Sequence, residues 1–201
     1  SDALDDGESA TVVFTYTVTD GTTPVEETLT ITINGRNDAI DTDPDTDDVD
    51  EDATTTGNVL ANDTDVDGEI MTVTAISGLG GSDSVAQGDP GVITNAFGTL
   101  RLTAQGGYDF VANGAASQAL DVGETAIVSY TYTVTDGTTP VTETLTITIH
   151  GLNDVPVARP DTGTTPEDSP VTLNVLGNDT DVDLETLTVT EATDPAHGSV
   201  R

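Results

Sequence analysis

An internal repeat of 116 residues constrains the fold of this chain more than any other feature. When the sequence is compared with itself at that offset, without gaps, residues 1–38 match residues 117–154 at 29 of 38 positions. Residues 39–75 match residues 155–191 at 19 of 37 positions. Because the offset never shifts, we divide the chain into three consecutive parts. These are the C-terminal part of a first repeat (1–38), a complete repeat (39–154) and the N-terminal part of a following repeat (155–201).

The pattern of apolar residues predicts strands throughout the repeat. In segments 12–18 and 29–33, large apolar side chains alternate with threonine, which is typical of strands with one buried face. Asp20 and Gly21 supply a turn between them, and the same hairpin recurs at 128–149. Further strands are expected at 55–60, 70–76, 91–95, 98–103, 107–111, 171–176 and 186–191, and one short helical turn near residues 117–120. Regular turns between strands favour an all-β fold of tandem antiparallel β-sandwiches, with the acidic stretches 39–52 and 155–168 following the repeat boundaries.

The charge of the chain excludes several functions. There are 37 acidic and 4 basic residues, giving a net charge of −33, so phosphate backbones and anionic membranes would be repelled. We therefore expect no nucleic-acid partner and no membrane insertion in this segment. Cysteine is absent, which excludes disulfides. A small apolar core then needs another source of stability, and bound metal ions are the obvious candidate. Intrinsic disorder is disfavoured because acidic disordered tracts lack sustained period-two patterns.

Three aspartates at alternate positions form the sharpest motif. Asp63, Asp65 and Asp67 are predicted to lie in one loop, and dense carboxylate oxygens suit Ca²⁺, which takes about 6–8 oxygen ligands. The motif matches the opening of an EF-hand loop, but the twelfth position is Thr74, where a glutamate belongs. In the second copy Leu184 replaces the required glycine, and strands flank both loops. We therefore reject an EF-hand and retain calcium.

Duplication separates constrained carboxylates from variable ones. Asp41, Asp43, Asp47, Asp48 and Asp50 are not acidic in the second copy, which is typical of solvated surface charge. The acidic pairs identified as persistent are Asp20/Asp136, Asp38/Asp154, Asp45/Asp161, Glu51/Glu167, Asp52/Asp168, Asp63/Asp179, Asp65/Asp181 and Asp67/Asp183. The predicted calcium ligands are Asp38, Asp45, Glu51, Asp52, Asp63, Asp65, Asp67, Asp136, Asn153, Asp154, Asp161, Glu167, Asp168, Asp179, Asp181 and Asp183. The alternative is a set of solvated acidic loops and Asx-turns.

Strand parity predicts which linker the aspartate triplet faces. A sandwich has two ends, or poles, where its loops lie. If 55–60 is the first strand of an antiparallel sandwich, the loop that follows it lies at the same pole as the end of the last strand. The triplet would then share ions with Asn153 and Asp154 rather than with Asn37 and Asp38. Asp136, in the turn of the last hairpin, would lie at the opposite pole.

Longer motifs resemble known bacterial repeats. The strings Gly98-Thr-Leu-Arg-Leu-Thr-Ala-Gln-Gly-Gly-Tyr-Asp-Phe110 and Tyr130-Thr-Tyr-Thr-Val-Thr-Asp-Gly137 resemble a VCBS repeat. Glu-Asp followed by Asn-Val-Leu-x-Asn-Asp-Thr-Asp-Val-Asp, in 45–75 and 161–191, resembles bacterial cadherin-like and Ig-like domains. The resemblance implies tandem β-sandwiches in large secreted adhesins, often of RTX type and exported by type I secretion. It also implies that calcium at the linkers rigidifies the array, which extends a distal ligand-binding end and promotes attachment or biofilm.

We therefore predict a calcium-stabilised extracellular segment of a bacterial surface or secreted adhesin, acting as a rigid extender. It has no catalytic motif, and we expect no enzyme activity. Its partners would be neighbouring repeats of the same chain and, through other domains, cell-surface glycans or proteins. Two alternatives remain: the repeat is itself a carbohydrate- or protein-binding module, or its acidity is a halophilic adaptation without specific ion sites.

Overall fold

A computed structural model describes residues 3–200, and in this part of the chain the fold is all-β, as expected. There are eleven strands and no helix among these residues. The strands are β1 (Ser9–Thr19), β2 (Pro24–Asn34), β3 (Asp45–Asp50), β4 (Thr54–Asn58), β5 (Thr72–Gly78), β6 (Gly81–Ser84), β7 (Gly91–Thr94), β8 (Thr99–Leu102), β9 (Gly107–Val111), β10 (Thr125–Thr135) and β11 (Val141–His150). They form a two-stranded sheet, a five-stranded sheet and a four-stranded sheet.

The two predicted hairpins are confirmed and have equivalent registers. In β1–β2, Phe14 lies opposite Leu29, and in β10–β11 the equivalent Tyr130 lies opposite Leu145. Their environments differ, because Phe14 is 52% exposed whereas Tyr130 is 1% exposed. Within the described residues β1 and β2 pair only with each other, so the apolar face of this hairpin remains open to solvent.

The complete repeat is a sandwich of two sheets. One has the strand order β3-β11-β10-β5-β6 and the other the order β4-β9-β8-β7. Phe110 on β9 and Tyr130 on β10 meet between the sheets with ring centroids 6.2 Å apart, a tilted geometry that aromatic pairs favour. Aliphatic side chains from both sheets complete the core, among them Val59, Val73, Ile76, Ile93, Leu100, Leu102, Val134, Leu145, Ile147 and Ile149.

Strand β3 is a correction to the sequence analysis, which treated 39–52 as an acidic stretch outside the strands. Residues 45–50 instead form an edge strand that pairs parallel to β11, with Asp45 opposite Leu145. Two aspartates of β3 are accommodated because tyrosine hydroxyls donate to them. Tyr132 donates to Asp45 Oδ2 at 3.0 Å, and Tyr108 donates to Asp47 Oδ2 at 2.7 Å. Asp47 is therefore not the solvated surface charge that its variability suggested.

Segments 171–176 and 186–191 are not strands in the structure, which contradicts the prediction. Their counterparts in the complete repeat are β4 and β5, which pair with β9 and β10. Among residues 3–200 no further strand pairs with these two segments, so they form no ladder. The expected helical turn near 117–120 is a hydrogen-bonded turn rather than a helix, with Gln118 N donating to Gly114 O at 3.0 Å.

The turn of each hairpin is held by an aspartate. Asp20 Oδ1 accepts from Thr22 N at 2.9 Å, Thr22 Oγ1 at 2.6 Å and Thr23 N at 3.2 Å. Asp136 accepts from Thr138 and Thr139 in the same way. These bonds, led by the Thr22 hydroxyl for Asp20, lower the pKa of both carboxyl groups to about 2. The persistence of Asp20 and Asp136 therefore has a local structural cause.

Burial predicts that equivalent substitutions in the two hairpins have unequal costs. Ile147→Ala removes a side chain that is 0% exposed and should cost about 2–5 kcal/mol. Ile31→Ala is the matched control, because Ile31 occupies the same register position but is 44% exposed. Denaturant unfolding of the 201-residue chain measures both. Equal losses would show that the first hairpin is packed as tightly as the second.

The lowered pKa of Asp20 predicts a pH dependence of the first hairpin. Because the folded pKa lies below the ordinary value of 3.8, the charged carboxylate stabilises the turn above about pH 4. That contribution should fade as the pH falls through the folded pKa of about 2. Side-chain NMR titration of wild type and Thr22→Ala checks this, since removing the hydroxyl should raise the Asp20 pKa. An unchanged pKa in the variant would contradict the assignment.

Candidate metal sites at the linkers

The first aspartate triplet lies against the linker that precedes its own repeat. Asp38 N donates to Asp67 Oδ2 at 2.6 Å. Asp41 and Thr64 form an antiparallel bridge with N–H···O distances of 2.8 and 3.0 Å. The loop is thus tied to the chain segment that enters the repeat. The parity prediction, which placed this triplet beside Asn153, is wrong.

The β10–β11 turn reaches the same linker. Asn37 Nδ2 donates to Asp136 Oδ2 at 3.2 Å, and Thr138 Oγ1 donates to Asn37 Oδ1 at 2.7 Å. Asp136 therefore lies at the pole of Asp67, not at the opposite pole as parity predicted. The cause is β3, an extra strand that precedes β4 and runs parallel to β11. With one more strand in the count, each later loop lies at the end of the sandwich opposite to the one predicted.

The second linker reproduces the first. Asp154 N donates to Asp183 Oδ2 at 2.7 Å, and Val157 bridges Thr180 as Asp41 bridges Thr64. The bridge hydrogen bonds measure 2.8 and 3.2 Å. All of these pairs lie 116 residues from their counterparts at the first linker. The geometry is therefore a property of the repeat.

Glu51 brings a carboxylate from the upstream repeat to the second linker. Its side chain is only 3% exposed, and its Oε1 accepts a hydrogen bond from Leu152 N. Glu51 follows β3 directly, and its own N–H donates to His150 O at 2.9 Å. Asp52 next to it has a φ of 61°, and Asp168 repeats this turn with a φ of 64°. Residues that are 101 positions apart therefore meet at the end of the sandwich.

Both triplet loops have the same turn geometry. Asp65 Oδ1 accepts from Asp67 N at 2.9 Å, and Asp181 Oδ1 accepts from Asp183 N at 3.0 Å. The following residue has a positive φ in each loop, 82° at Gly68 and 65° at Leu184. Glycine adopts this region freely, whereas leucine does so only at a cost. The loop conformation is thus kept even where its glycine is lost.

Each loop gathers three carboxylates that could hold one ion. In each group, one oxygen from every residue lies within 4.8 Å of the others. The first group is Asp5, Asp67 and Glu69, and the second is Asp181, Asp183 and Glu185.

The same oxygens of both loops are buried without a hydrogen-bond partner. They are Oδ2 of Asp65 and of Asp181, and Oδ1 of Asp67 and of Asp183, together with Oε2 of Glu51 and of Glu69. A buried carboxylate oxygen without a partner is costly, so it points to a missing donor or cation. Two equivalent loops leave equivalent atoms unpaired, which a single local irregularity would not produce.

The electrostatics of the linkers favour a bound cation. Burial, followed by an interaction with Asp65, raises the pKa of Glu69 to about 7. Burial and then the charges of Asp154 and Asp183 raise the pKa of Glu51. Within residues 3–200 the salt bridges are Arg101–Asp109 and His150–Asp48, neither of which reaches these clusters. Oxygen-only donors of this density fit a hard divalent cation such as Ca²⁺.

The predicted ligands thus divide among several places. Asp38, Asp65, Asp67 and Asp136 gather at the first linker. At the second linker lie Glu51, Asp52, Asn153, Asp154, Asp181 and Asp183. Asp45 and Asp63 lie together inside the repeat, and Asp179 accepts from Arg159 N at 2.8 Å. Asp161, Glu167 and Asp168 are exposed.

Sequence reasoning missed several acidic residues of these sites. Glu69 and Glu185 belong to the carboxylate groups, as does Asp5. Burial and then the charge of Asp121 raise the pKa of Glu185. The signal was available, because the pairs Asp5/Asp121 and Glu69/Glu185 are both identical at the 116-residue offset. The prediction considered only the Asp-x-Asp-x-Asp motif and therefore omitted the glutamate two residues after it.

Comparison with known proteins supports this architecture. Residues 37–151 match the family model of the bacterial cadherin-like domain, and residues 153–201 match that of the bacterial Ig domain. No curated protein sequence matches the chain significantly.

Similar solved structures include the endo-fucoidan hydrolase MfFcnA4 from glycoside hydrolase family 107, at 18% identity and a TM-score of 0.34. The match covers 74% of this chain and 19% of the hydrolase, so the chain spans about a fifth of its length. MfFcnA9 of the same family gives 12% identity and a TM-score of 0.31 over 70% of this chain and 22% of that enzyme. At these TM-scores the likeness supports no argument.

Domains of the two matched families are typically extracellular or surface-exposed structural modules without enzyme activity, and cadherin-like domains often bind calcium. Residues 3–200 contain no helix with the length and hydropathy needed to cross a membrane. The cadherin-like match covers more than half of the 201 residues and coincides with the described sandwich. The chain therefore belongs to the bacterial cadherin-like domain family.

Proposed function

We propose that this chain is a calcium-stabilised segment of tandem repeats that acts as a rigid extender in a bacterial cell-surface or secreted adhesin. The observation that carries the proposal is the repetition of unpaired carboxylate oxygens at both linkers. In this proposal the complete repeat is 39–154, flanked by parts of its neighbours at 1–38 and 155–201. The RTX-type context, type I secretion and a role in biofilm stay predictions from the resemblance.

The proposed ions would join three chain segments that otherwise repel one another. At the first linker these are the loop before β1, with Asp5, and the linker itself, with Asn37 and Asp38. The third is the downstream loop, with Asp67 and Glu69. Asn153 and Asp154, with Glu51 upstream and Asp183 downstream, would act equivalently at the second linker. An ion bound by residues on both sides of a linker would restrict bending there.

The neighbouring repeats are therefore the proposed partners of this segment. Cell-surface glycans or proteins would be bound by other domains of the adhesin, since the features that recur in this chain are linker carboxylates and strand threonines. A spacer of this kind needs stiffness and length more than a ligand pocket. Extracellular calcium modules often have dissociation constants of about 0.1–1 mM, so millimolar external calcium would load the sites.

Calcium removal should lower both the stability and the stiffness of the chain. An ion that binds only the folded state adds about 2.7 kcal/mol at a hundredfold excess over its Kd. We expect a higher melting temperature in calcium than in EDTA, and a narrower distribution of end-to-end distances by small-angle X-ray scattering. Potassium chloride at matched ionic strength is the control, because a halophilic adaptation without ion sites would respond to it equally.

Removing the charge of Glu69 should abolish calcium binding at the first linker. Glu69→Gln should remove one bound calcium equivalent in isothermal titration calorimetry, because it removes one of three converging carboxylates. Asp89→Asn is the matched control, since it also removes one negative charge but lies on an exposed turn between β6 and β7. If both variants bind as many ions as wild type, the carboxylate group at the first linker is not a calcium site.

A further inference from the structure

One apolar surface without a partner among residues 3–200 is the inner side of the β1–β2 hairpin, which we call the hairpin face. Strands β1 and β2 pair only with each other there, so nothing in the described chain packs on this side. An exposed apolar patch of this kind marks an interaction surface. The face is formed by Val12, Phe14, Tyr16, Val18, Leu29 and Ile31, each of which is more than a third exposed.

A second apolar surface lies in the part of the chain that follows the second linker. It is a groove, here called the 171–200 groove, and no strand of the described residues covers it. Its apolar side chains are about half exposed, which is unusual for so many valines in one place. They are Val171, Leu173, Val175, Val189 and Val200.

The complete repeat shows how these two surfaces fit together. There, Val134 of β10 lies opposite Val73 of β5, and the Tyr132 hydroxyl lies 3.1 Å from Val59 O. All of these side chains belong to one buried core. At the 116-residue offset, β10 and β11 correspond to β1 and β2, whereas Val59 and Val73 correspond to groove residues. The equivalent of the hairpin face therefore covers the equivalent of the groove.

The contacting residues are retained on both sides of this interface. Seven residues of β10 and β11 are buried, and six of their counterparts in β1 and β2 are identical; the exception is Phe14, which replaces Tyr130. On the groove side, Val175 and Val189 are the same residues as Val59 and Val73. The hairpin therefore carries the side chains that such a groove accommodates.

A polar contact of the interface is retained as well. In the complete repeat the Tyr132 hydroxyl donates to Asp45 Oδ2 at 3.0 Å. The counterparts are Tyr16 and Asp161, and both are exposed in the structure. Docking of the two surfaces would bring this hydroxyl and this carboxylate together again.

One chain cannot easily bring its own two surfaces together. Strands β3 and β11 run parallel, so the chain enters the complete repeat at one pole and leaves it at the other. The hairpin face adjoins the first linker and the groove adjoins the second. The ten residues of β11 alone span about 33 Å between the poles. The occupant that the geometry favours is therefore a second copy of this chain.

We propose that the hairpin face of one copy docks in the 171–200 groove of a second copy, in the register that β10 adopts on β5. Val18 of one copy would lie opposite Val189 of the second, and Tyr16 would donate to Asp161 of the second. The contact is apolar and requires no ion, so it does not depend on the proposed calcium function.

This contact joins two different surfaces, so each copy keeps one hairpin face and one groove free for further copies. Such a heterologous contact produces an open chain of molecules rather than a closed ring. The copies would follow one another in the order of the tandem repeats. Because each carries a net charge of −33, added salt should strengthen the association by screening their repulsion.

Sedimentation velocity of the 201-residue chain over a range of concentrations tests the proposal. We expect the average mass of wild type to rise with concentration, and Ile31→Asp and Val189→Asp each to stay monomeric. Val13→Asp is the matched control, because it adds the same charge to β1 on the opposite, threonine-bearing face. It should associate as wild type does, and far-UV circular dichroism verifies that the variants fold.

A mixture of the two charged variants gives a sharper result. Ile31→Asp retains an intact groove and Val189→Asp retains an intact hairpin face, so together they should form dimers and nothing larger. Wild type that is monomeric at every concentration, or a mixture that is monomeric, would overturn the proposal. Association of Val189→Asp alone would overturn it too, because hairpin faces would then pair with each other.

Cysteine cross-linking tests the register, since the chain contains no cysteine of its own. Val18→Cys and Val189→Cys occupy positions that lie directly opposite each other in the β10–β5 register, within reach of a disulfide. Oxidation of a mixture of the two single variants should give a covalent dimer on a non-reducing gel. Thr17→Cys is the control, because its side chain faces the other side of β1. Equal yields with Thr17→Cys and Val18→Cys would show that the proposed register is wrong.

Discussion

Repulsion between carboxylates that the protein itself does not neutralise is the constraint on which the rest of this structure depends. The chain carries a net charge of −33 and places part of that charge where water cannot screen it well. Buried carboxylates are tolerated in proteins only when paired, hydrogen-bonded or bound to a metal. Among the described residues the unpaired carboxylate oxygens are concentrated at the linkers, with one more at Asp63, while the sandwich core remains apolar. The unneutralised charge is thus concentrated at the linkers rather than spread evenly over the repeat.

The repeat can be very acidic and still fold because its strands and its turns carry different kinds of residue. Apolar residues of β10 and β11 bury one face of the hairpin, and threonines occupy the other. Neither face needs a charge. The acidic residues are left free to accumulate in turns and linkers, where a soluble ion can neutralise them. Some acidic residues do lie on strands, and two of them, Asp45 and Asp47 on β3, accept hydrogen bonds from tyrosine hydroxyls of the two sheets.

The hairpins could be predicted from the sequence because period two is a local signal, and β1–β2 and β10–β11 formed as expected. Strand β3 could not, since Asp-Thr-Asp-Asp-Val-Asp has the composition of a loop and its pairing partner is about a hundred residues away. That single omission also reversed the predicted pole of the aspartate triplet. Comparison of the two repeat copies identified most of the carboxylates at the linkers. It could not predict which of them lie together, because that depends on which backbone N–H groups each loop contacts.

Strand β3 has a consequence for how the repeat would respond to force. It is the first strand of the sandwich, β11 is the last, and the two run parallel side by side over six residue pairs. Tension applied through the two linkers would pull these neighbours in opposite directions along their length. Their hydrogen bonds would then be loaded together in shear rather than opened one after another. A tether built from such units would resist a pull at its ends more strongly than its modest core suggests.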